Sequence, residues 1–272
     1  MFYLQQREPS VWTGSFSSFS SEFMVHAIST RFGGVTKAPF DTMDLALHTG
    51  DDANLVWQNR RLFCAALGLQ AERICTPQQV HGEKIMRVTE QDAGRGSRSY
   101  EDAIADTDAL ITDVPELPLL LCFADCTPLL FFDPVHRAVG AAHGGWKGTV
   151  KKIAQKTVLR MQQEFGTKPE ECLVGIGPAI GPCCYEVGGD VMSRFCEAFP
   201  GQEQRLFHRQ DDRVHLNLWE ANRLQLMEIG VKAEHIDAAD VCTACNSRLF
   251  FSYRADGGRT GRIAAVIALK KS

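Results

Sequence analysis

Three short motifs in this chain of 272 residues contain side chains that can bind a metal ion or act in catalysis. They are "QQVHG" with His81, "ADCTP" with Cys126, and "AAHGGWKG" with His143. Each of the three residues lies at or just after the end of an apolar run, where binding and catalytic residues often occur. Two imidazoles and one thiolate leave a fourth coordination position open, which is the form of a catalytic zinc site.

The same residues allow a second interpretation, in which Cys126 is a nucleophile and His143 is its general base. The backbone N–H groups of Gly144 and Gly145 would then form an oxyanion hole. The spacing of the motifs does not separate the two interpretations. The additional histidine, His81, favours a metal ion, because a Cys-His dyad does not require it.

Residues that could bind an anion or carry a proton surround these motifs. In "HGGWKGT", Gly144, Gly145 and Lys147 precede a predicted helix, an arrangement that suits a phosphate or a carboxylate. The spacing of a Walker A loop is absent. Arg31, which precedes two glycines, is a further candidate anion contact, and Asp125 could orient a ligand or transfer a proton.

The other cysteines among the ten in the chain give weaker signals. Cys242 and Cys245 form a C-x-x-C unit with no second pair at zinc-finger spacing, and we interpret them as structural thiols. Cys183 and Cys184 are adjacent, so we do not expect both to bind one metal ion. The segment "SYRADGGRTGR" predicts a basic loop at a sheet edge, with Arg254, Arg259 and Arg262.

The composition is that of a folded globular protein, with 44% apolar and 23% charged residues. The net charge of −4 does not indicate binding to nucleic acid or to an anionic membrane surface. The most apolar segment is interrupted by Asp125 and Pro128 and is too short to span a bilayer. Because no export signal precedes the first motif, we expect a cytoplasmic protein, either a monomer or a small homo-oligomer.

The pattern of apolar residues predicts an α+β fold, a single domain over 1–272 with mixed β-sheets packed with flanking helices. Residues 1–22 are predicted to be an N-terminal extension, and 89–108 a surface loop. Predicted strands cover 23–29, 109–112, 118–123, 128–132, 138–143, 172–177, 248–254 and 263–269. Predicted helices cover 53–67, a segment from just after Gly148 to near Gly166, 187–199 and 216–229.

From about residue 23 to the C-terminus, the chain resembles the YfiH-type proteins. These proteins are named variously polyphenol oxidase or laccase-domain proteins, purine nucleoside phosphorylases and peptidoglycan-editing factors. The resemblance is carried, in order, by "TRFGGVT", "LALHTGDD", "QQVHG", "DTDALIT", "ADCTPLLFFDP", "AAHGGWKGT", "GIGPAIGPCCYEV" and "FFSYRADGGRTGR". One departure is Asp44-Leu45, where the family usually has Asn-Leu; if that Asn contacts substrate, rate or specificity would differ here.

The resemblance implies that His81, Cys126 and His143 bind zinc, with copper as a second candidate at the same ligands. It implies phosphorolysis of adenosine, inosine and methylthioadenosine, deamination of adenosine, or removal of serine from a cell-wall precursor. From the family of multicopper oxidases, we expect a multicopper centre to require about ten histidines, several of them in His-x-His pairs. The chain has 8 histidines and no His-x-His pair, so we exclude such a centre.

We therefore predict a zinc-dependent purine nucleoside phosphorylase that also deaminates adenosine, with a purine nucleoside and phosphate as its substrates. In this prediction Asp125, Cys126 and Lys147 are the catalytic residues, and Arg31 assists in binding the anion. The alternatives are an amidohydrolase that removes L-serine from the peptidoglycan precursor UDP-MurNAc-L-Ser, and a copper-loaded polyphenol oxidase.

Overall fold

Two β-sheets lie face to face in the computed structural model, which describes residues 1–7 and 10–271. In chain order the strands are β1 (Phe2–Arg7), β2 (Val11–Phe16), β3 (Met24–Ser29), β4 (Ile85–Arg87), β5 (Ala109–Thr112), β6 (Leu119–Phe123), β7 (Thr127–Asp133), β8 (Ala138–Gly144), β9 (Leu173–Ile176), β10 (Phe207–Gln210), β11 (Arg213–Leu216), β12 (Ile236–Ala238) and β13 (Ile263–Leu269). The helices are α1 (Ala53–Ala66), α2 (Trp146–Val150), α3 (Ile153–Phe165), α4 (Gly189–Ala198), α5 (Glu203–Leu206) and α6 (Leu218–Glu228).

The two central sheets differ in strand direction. The five-stranded sheet has the order β1-β2-β3-β13-β6 and is antiparallel throughout. The six-stranded sheet has the order β12-β9-β7-β8-β5-β4 and is mixed, because its two outermost pairs are parallel. A third sheet is the hairpin of β10 and β11. The predicted α+β class and single domain are therefore confirmed.

Alternation of side chains along buried strands produces the layers of the fold. Leu119, Leu121 and Phe123 of β6 face the other large sheet, whereas Leu120 and Cys122 face α1. The six-stranded sheet is covered on its outer face by α3 and α6. Because both faces of these strands are buried, the sequence reads as continuous apolar runs instead of an alternating pattern. Full burial of each Leu or Phe side chain contributes about 1.5–3 kcal/mol to stability.

Two predicted elements differ from the structure. The predicted strand at 248–254 is wrong: this segment turns, with Phe250 N–H donating to the Asn246 carbonyl, and it buries Phe250 and Phe251 in the core between the sheets. The single helix predicted after Gly148 is two helices, α2 and α3. They are separated at Lys152, whose φ of 65° lies in the left-handed region that breaks a helix.

The N-terminal residues extend the five-stranded sheet. Strands β1 and β2 lie within the predicted extension 1–22, and Phe16 and Phe19 pack in the core between the two large sheets. Within the described residues, none of the helices combines the length and the apolar character that crossing a membrane would require.

The chain crosses from one large sheet to the other between β6 and β7. Phe123 ends β6 in the five-stranded sheet, and Thr127 begins β7 in the six-stranded sheet. Asp125 and Cys126 lie in this crossing, and Asp125 has a φ of 82°. The sequence "FADCTP" is therefore the connection between two layers, and this explains why polar residues interrupt such an apolar segment.

Candidate metal centre

His143 is held in one orientation by a buried carboxylate. It lies near the end of β8, and its Nδ1 is 2.8 Å from Oδ1 of Asp108. Asp108 also accepts the backbone N–H of His143 through its carbonyl oxygen. The contact at Nδ1 leaves Nε2 of His143 for a metal ion, as carboxylate–histidine pairs do in metal sites.

The same carboxylate shapes the loop that carries His81. Oδ1 of Asp108 accepts the His81 N–H at 3.0 Å, and Oδ2 accepts the N–H groups of Gly82 at 2.6 Å and Val80 at 3.2 Å. These bonds hold His81 at a φ of 58°, a conformation that costs energy for a residue with a side chain. Asp108 therefore positions two candidate ligands that are distant in sequence.

The three predicted ligands come together. Sγ of Cys126 is 3.7 Å from Nε2 of His81, and the His81 and His143 ring centroids are 4.7 Å apart. One ligand atom from each residue lies within 4.8 Å of the others. A Cβ at Gly145 would lie 2.9 Å from Cδ2 of His81 and 3.1 Å from Sγ of Cys126, so this position requires glycine. The donors and their close approach fit one zinc ion or one copper ion.

The side chains carry charge without a bound metal. Burial alone would raise the pKa of Cys126, but the imidazoles of His143 and His81 outweigh it and lower the pKa to about 6. Burial alone would lower the pKa of His143, but the Cys126 thiolate and Asp108 raise it to about 9. For Asp108, the contact with His143 similarly outweighs burial, and the pKa falls below its usual value. Cys126 is thus mainly a thiolate at neutral pH, which suits both metal binding and nucleophilic attack.

Two cavities meet at these ligands. The larger has a volume of about 430 Å³, within the range of small-molecule sites, and the smaller about 240 Å³. Both are lined by His81, Asp125, Cys126, Ile180 and Tyr185. The larger cavity is also lined by His48, Gln79, Cys122, Phe123, Ala124, His143, Tyr253, Arg254 and Arg262, and the smaller by Trp146, Lys147 and Leu218.

The predicted anion contacts are dispersed. Lys147 lines the smaller cavity, but Gly144 and Gly145 are not among the lining residues of either cavity. Gly144 is paired with Thr127 in the sheet. The guanidinium of Arg31 donates to the carbonyl oxygens of Asp41 and Ser247 at 2.9 and 2.6 Å, and Arg31 lines neither cavity. Of this predicted set, Gly145 and Lys147 lie near the candidate metal ligands, and only Lys147 lines a cavity.

Two arginines of the predicted basic loop line the larger cavity, and carboxylates fix their backbone. Oδ2 of Asp125 accepts the N–H of Arg254 at 2.7 Å, and Oδ1 of Asp44 accepts the N–H of Arg262 at 2.8 Å. The other oxygen of Asp125 accepts the Thr243 hydroxyl at 2.6 Å. The sequence identified the arginines but not their place, because contacts across more than 100 residues determine it.

The sequence of the chain is similar to those of known proteins. Residues 25–270 match the family model described as multi-copper polyphenol oxidoreductase laccase. The chain belongs to this family, as the YfiH-type motifs predicted. Its relatives include purine nucleoside phosphorylase YlmD of Geobacillus stearothermophilus, 40% identical over 91% of this chain and 90% of the relative. Purine nucleoside phosphorylase YfiH of Escherichia coli K12 is 34% identical over 89% of this chain and 92% of the relative.

A solved structure shares the fold. The crystal structure of YlmD from Geobacillus stearothermophilus superposes with a TM-score of 0.93 at 38% identity, covering 98% of this chain and 99% of that chain. The words "multi-copper" in the family description do not fit the residues present. The described residues contain two groups of three or more potential ligands, one the His81–Cys126–His143 triad and the other made only of cysteines. The triad suits one metal ion.

Asp44, the departure from the family pattern, is fully buried and does not line the larger cavity. Burial raises the pKa of Asp44 to about 6, against hydrogen bonds from Thr49, Ala46 and Arg262 that lower it. The folded state therefore binds a proton more tightly than the unfolded state, and stability falls as the pH rises from about 4 to 6. The Asp44→Asn variant carries no charge at this position and keeps an oxygen for the two backbone donors.

We expect Asp44→Asn to raise the free energy of unfolding at about pH 7.5 by up to ~3 kcal/mol, because the buried charge is removed. The gain should shrink at about pH 4.5, where Asp44 is mostly protonated in the folded state. Urea unfolding of both proteins at the two pH values measures this difference. A difference that does not change with pH would show that Asp44 is not a destabilising buried charge.

Proposed function

We propose that the protein is a zinc-dependent purine nucleoside phosphorylase that acts on adenosine, inosine and methylthioadenosine and also deaminates adenosine. The observation that carries this proposal is the larger cavity, which places the His81–Cys126–His143 triad beside two arginines and three aromatic rings. The names of the relatives in Geobacillus stearothermophilus and Escherichia coli support the same reaction class.

Arg262 is the proposed phosphate contact. Its Nη1 donates to the carbonyl oxygens of Thr260 and Gly261, whereas Nε and Nη2 make no hydrogen bond within the described residues. That free edge can bind two oxygens of one phosphate. Arg254 adds positive charge to the same cavity, and Lys147 adds it on the other side of the triad. His48, whose pKa is lowered to about 4 by burial and by Arg262, stays neutral.

The aromatic and apolar residues of the larger cavity suit a purine. Phe123, Tyr185, Tyr253 and Ile180 line it together with the triad. Flat heterocycles bind well against such rings, and the volume of about 430 Å³ is in the range of small-molecule sites. In phosphorolysis a phosphate oxygen bonds to C1′ of the ribose, the C1′–N bond to the purine breaks, and ribose 1-phosphate forms.

The triad would hold zinc in this reaction. A bound zinc ion supplies a Lewis acid that polarises an oxygen and lowers the pKa of water. Asp108 keeps His143 and the His81 loop in place for that ion. Both oxygens of Asp125 accept hydrogen bonds, and we propose that Asp125 positions Arg254; its role as a proton carrier stays a prediction.

The proposed activity is tested by supplying adenosine with and without phosphate and identifying the products. We expect ribose 1-phosphate and adenine only when phosphate is present, and inosine in both conditions. Release of L-serine from UDP-MurNAc-L-Ser, with no ribose 1-phosphate from any nucleoside, would contradict the proposal and favour the amidohydrolase. Oxidation of a phenol by protein that contains copper and no zinc would instead favour the oxidase.

Removal of the proposed phosphate contacts of Arg262 and Lys147 should weaken phosphate binding specifically. Arg262→Ala should raise the KM for phosphate by about 10–100-fold, because one charge-assisted hydrogen bond contributes about 1.5–3 kcal/mol. Lys147→Ala should raise it by less, since a lysine makes one point contact. Deamination of adenosine uses water in place of phosphate and serves as the internal control. An equal loss of both activities in Arg262→Ala would remove the proposed role of Arg262 in phosphate binding.

A further inference from the structure

Four cysteines outside the triad form a second cluster. Sγ of Cys245 is 3.4 Å from Sγ of Cys183 and 3.4 Å from Sγ of Cys184. All four sulfur atoms, including that of Cys242, lie within 4.8 Å of one another, and all four are free thiols. The cluster shares no residue with the His81–Cys126–His143 triad.

The folding of two distant segments creates this cluster. Ala179 forms a parallel bridge with Cys242, which brings the chain after β9 beside the C-x-x-C unit. The backbone N–H of Gly181 donates to Sγ of Cys242 at 3.2 Å, and that of Cys245 does so at 3.5 Å. A Cβ at Gly181 would lie 2.7 Å from the Trp219 ring, so only glycine lets the backbone at this position lie close to that ring.

The spacing of the sulfur atoms fits a tetrahedral metal site. With Zn–S bonds of ~2.3 Å, the four sulfur atoms of a tetrahedron are ~3.8 Å apart. Two of the six separations are 3.4 Å and the other four are at most 4.8 Å, which is compatible with that value. A disulfide requires an S–S distance of ~2.0 Å and joins only two of the four thiols. Backbone N–H groups that donate to a sulfur stabilise it as a thiolate ligand.

We propose that Cys183, Cys184, Cys242 and Cys245 bind a second zinc ion in a closed, structural site. The four thiols release their protons to solvent when the metal binds. The two-residue Cys183–Cys184 segment supplies the pair that the C-x-x-C unit lacks. Four protein ligands leave no open position, so this site holds structure and does not perform catalysis.

The second site would stabilise one wall of the larger cavity. Tyr185, which follows Cys184, lines that cavity, and Arg254 donates from Nη1 to the Cys184 carbonyl at 3.2 Å. Thr243, between the two cysteines of the C-x-x-C unit, donates to Asp125. A metal ion that joins the two cysteine segments therefore acts on residues that contact both the cavity and the crossing beside Cys126.

Metal analysis of zinc-reconstituted protein tests the proposal without an activity assay. After reduction and zinc loading, the wild-type chain should retain about two zinc ions, and Cys245→Ser should retain one. His81→Ala should also retain one zinc ion, at the cysteine site. The double variant with both His81→Ala and Cys245→Ser should retain no zinc. Cys196→Ser is the matched control, because Cys196 lies in α4 outside the cluster and this variant should retain two.

Several results would overturn the second site. They are a zinc content that falls to zero in His81→Ala, a zinc content in Cys245→Ser equal to that of the wild-type chain, or a disulfide from Cys245 to Cys183 or Cys184 that persists while zinc is absent from the cluster. Even if a variant fails to fold, a wild-type count of two supports the second site and a count of zero overturns it. A count of one is assigned by cobalt, because four thiolate ligands absorb more strongly than the single thiolate of the triad. Cobalt in place of zinc gives a second readout, since thiolate-to-cobalt absorption should fall in Cys245→Ser and remain unchanged in Cys196→Ser.

Discussion

His81→Ala should lose the zinc of the triad and, with it, the phosphorolysis of adenosine. Zinc sites in proteins contribute about 10–16 kcal/mol of binding free energy, so one ligand of three carries several kcal/mol. We therefore expect zinc affinity at the triad to fall by about 10³-fold or more. Competition with a zinc chelator, followed by elemental analysis, measures the change. Cys126→Ser should behave in the same way, because a hydroxyl is a poor replacement for a thiolate ligand.

His48→Ala is the matched control for this loss. His48 lines the same cavity but does not belong to the group of ligand atoms within 4.8 Å of one another. This variant should keep zinc at the wild-type affinity. A zinc content that equals that of the wild-type protein in both His81→Ala and Cys126→Ser would show that the triad holds no zinc, and it would favour Cys126 as a nucleophile with His143 as its base.

Asp108→Asn should weaken both the metal site and the fold. The buried carboxylate accepts hydrogen bonds from His143 and from the backbone of Val80, His81 and Gly82. An amide replaces one acceptor by a donor and faces N–H groups that then lack a partner. We expect zinc affinity at the triad to fall by about 10–100-fold, and the free energy of unfolding of the metal-free protein to fall by about 2–4 kcal/mol.

Asp113→Asn provides the comparison for this effect. Asp113 follows β5, as Asp108 precedes it, but its side chain is partly exposed and pairs with Arg87 at 3.2 Å. Surface pairs of this kind contribute little to stability, so zinc affinity should be unchanged and unfolding should change by less than about 1 kcal/mol. Wild-type zinc affinity in Asp108→Asn would show that the carboxylate does not position the ligands.

The candidate metal ligands could be predicted from sequence because each lies at or just after the end of a recognisable apolar run. His81, Cys126 and His143 lie at the end of a loop, in a crossing between sheets and near the end of a strand, respectively. Their convergence follows from the stacking of the layers. The sequence contains no comparable indication for Asp108, because its positioning role depends on hydrogen bonds with residues 26 to 35 positions away. Such contacts depend on tertiary structure.

Three other features of the structure could not be predicted, because their local sequence patterns indicate a different arrangement. The pattern of "RLFFSYR" is typical of a strand, yet the segment turns because Arg254 N–H is held by Asp125. Adjacent cysteines looked unsuited to one metal ion, yet Cys183 and Cys184 both face Cys245. The segment after Gly148 has helical periodicity throughout, and only the left-handed backbone at Lys152 divides it. In each case the tertiary contacts override the local pattern.

Zinc reconstitution with product analysis tests the proposed metal-dependent phosphorolysis most directly. The protein is stripped with a chelator under reducing conditions, its metal content is measured, and zinc is then returned in steps while ribose 1-phosphate formed from adenosine and phosphate is quantified. We predict no ribose 1-phosphate from the metal-free protein and a rate that rises in proportion to zinc at the triad. Formation of ribose 1-phosphate at the full rate by protein shown to contain no metal would contradict the proposed metal-dependent phosphorolysis.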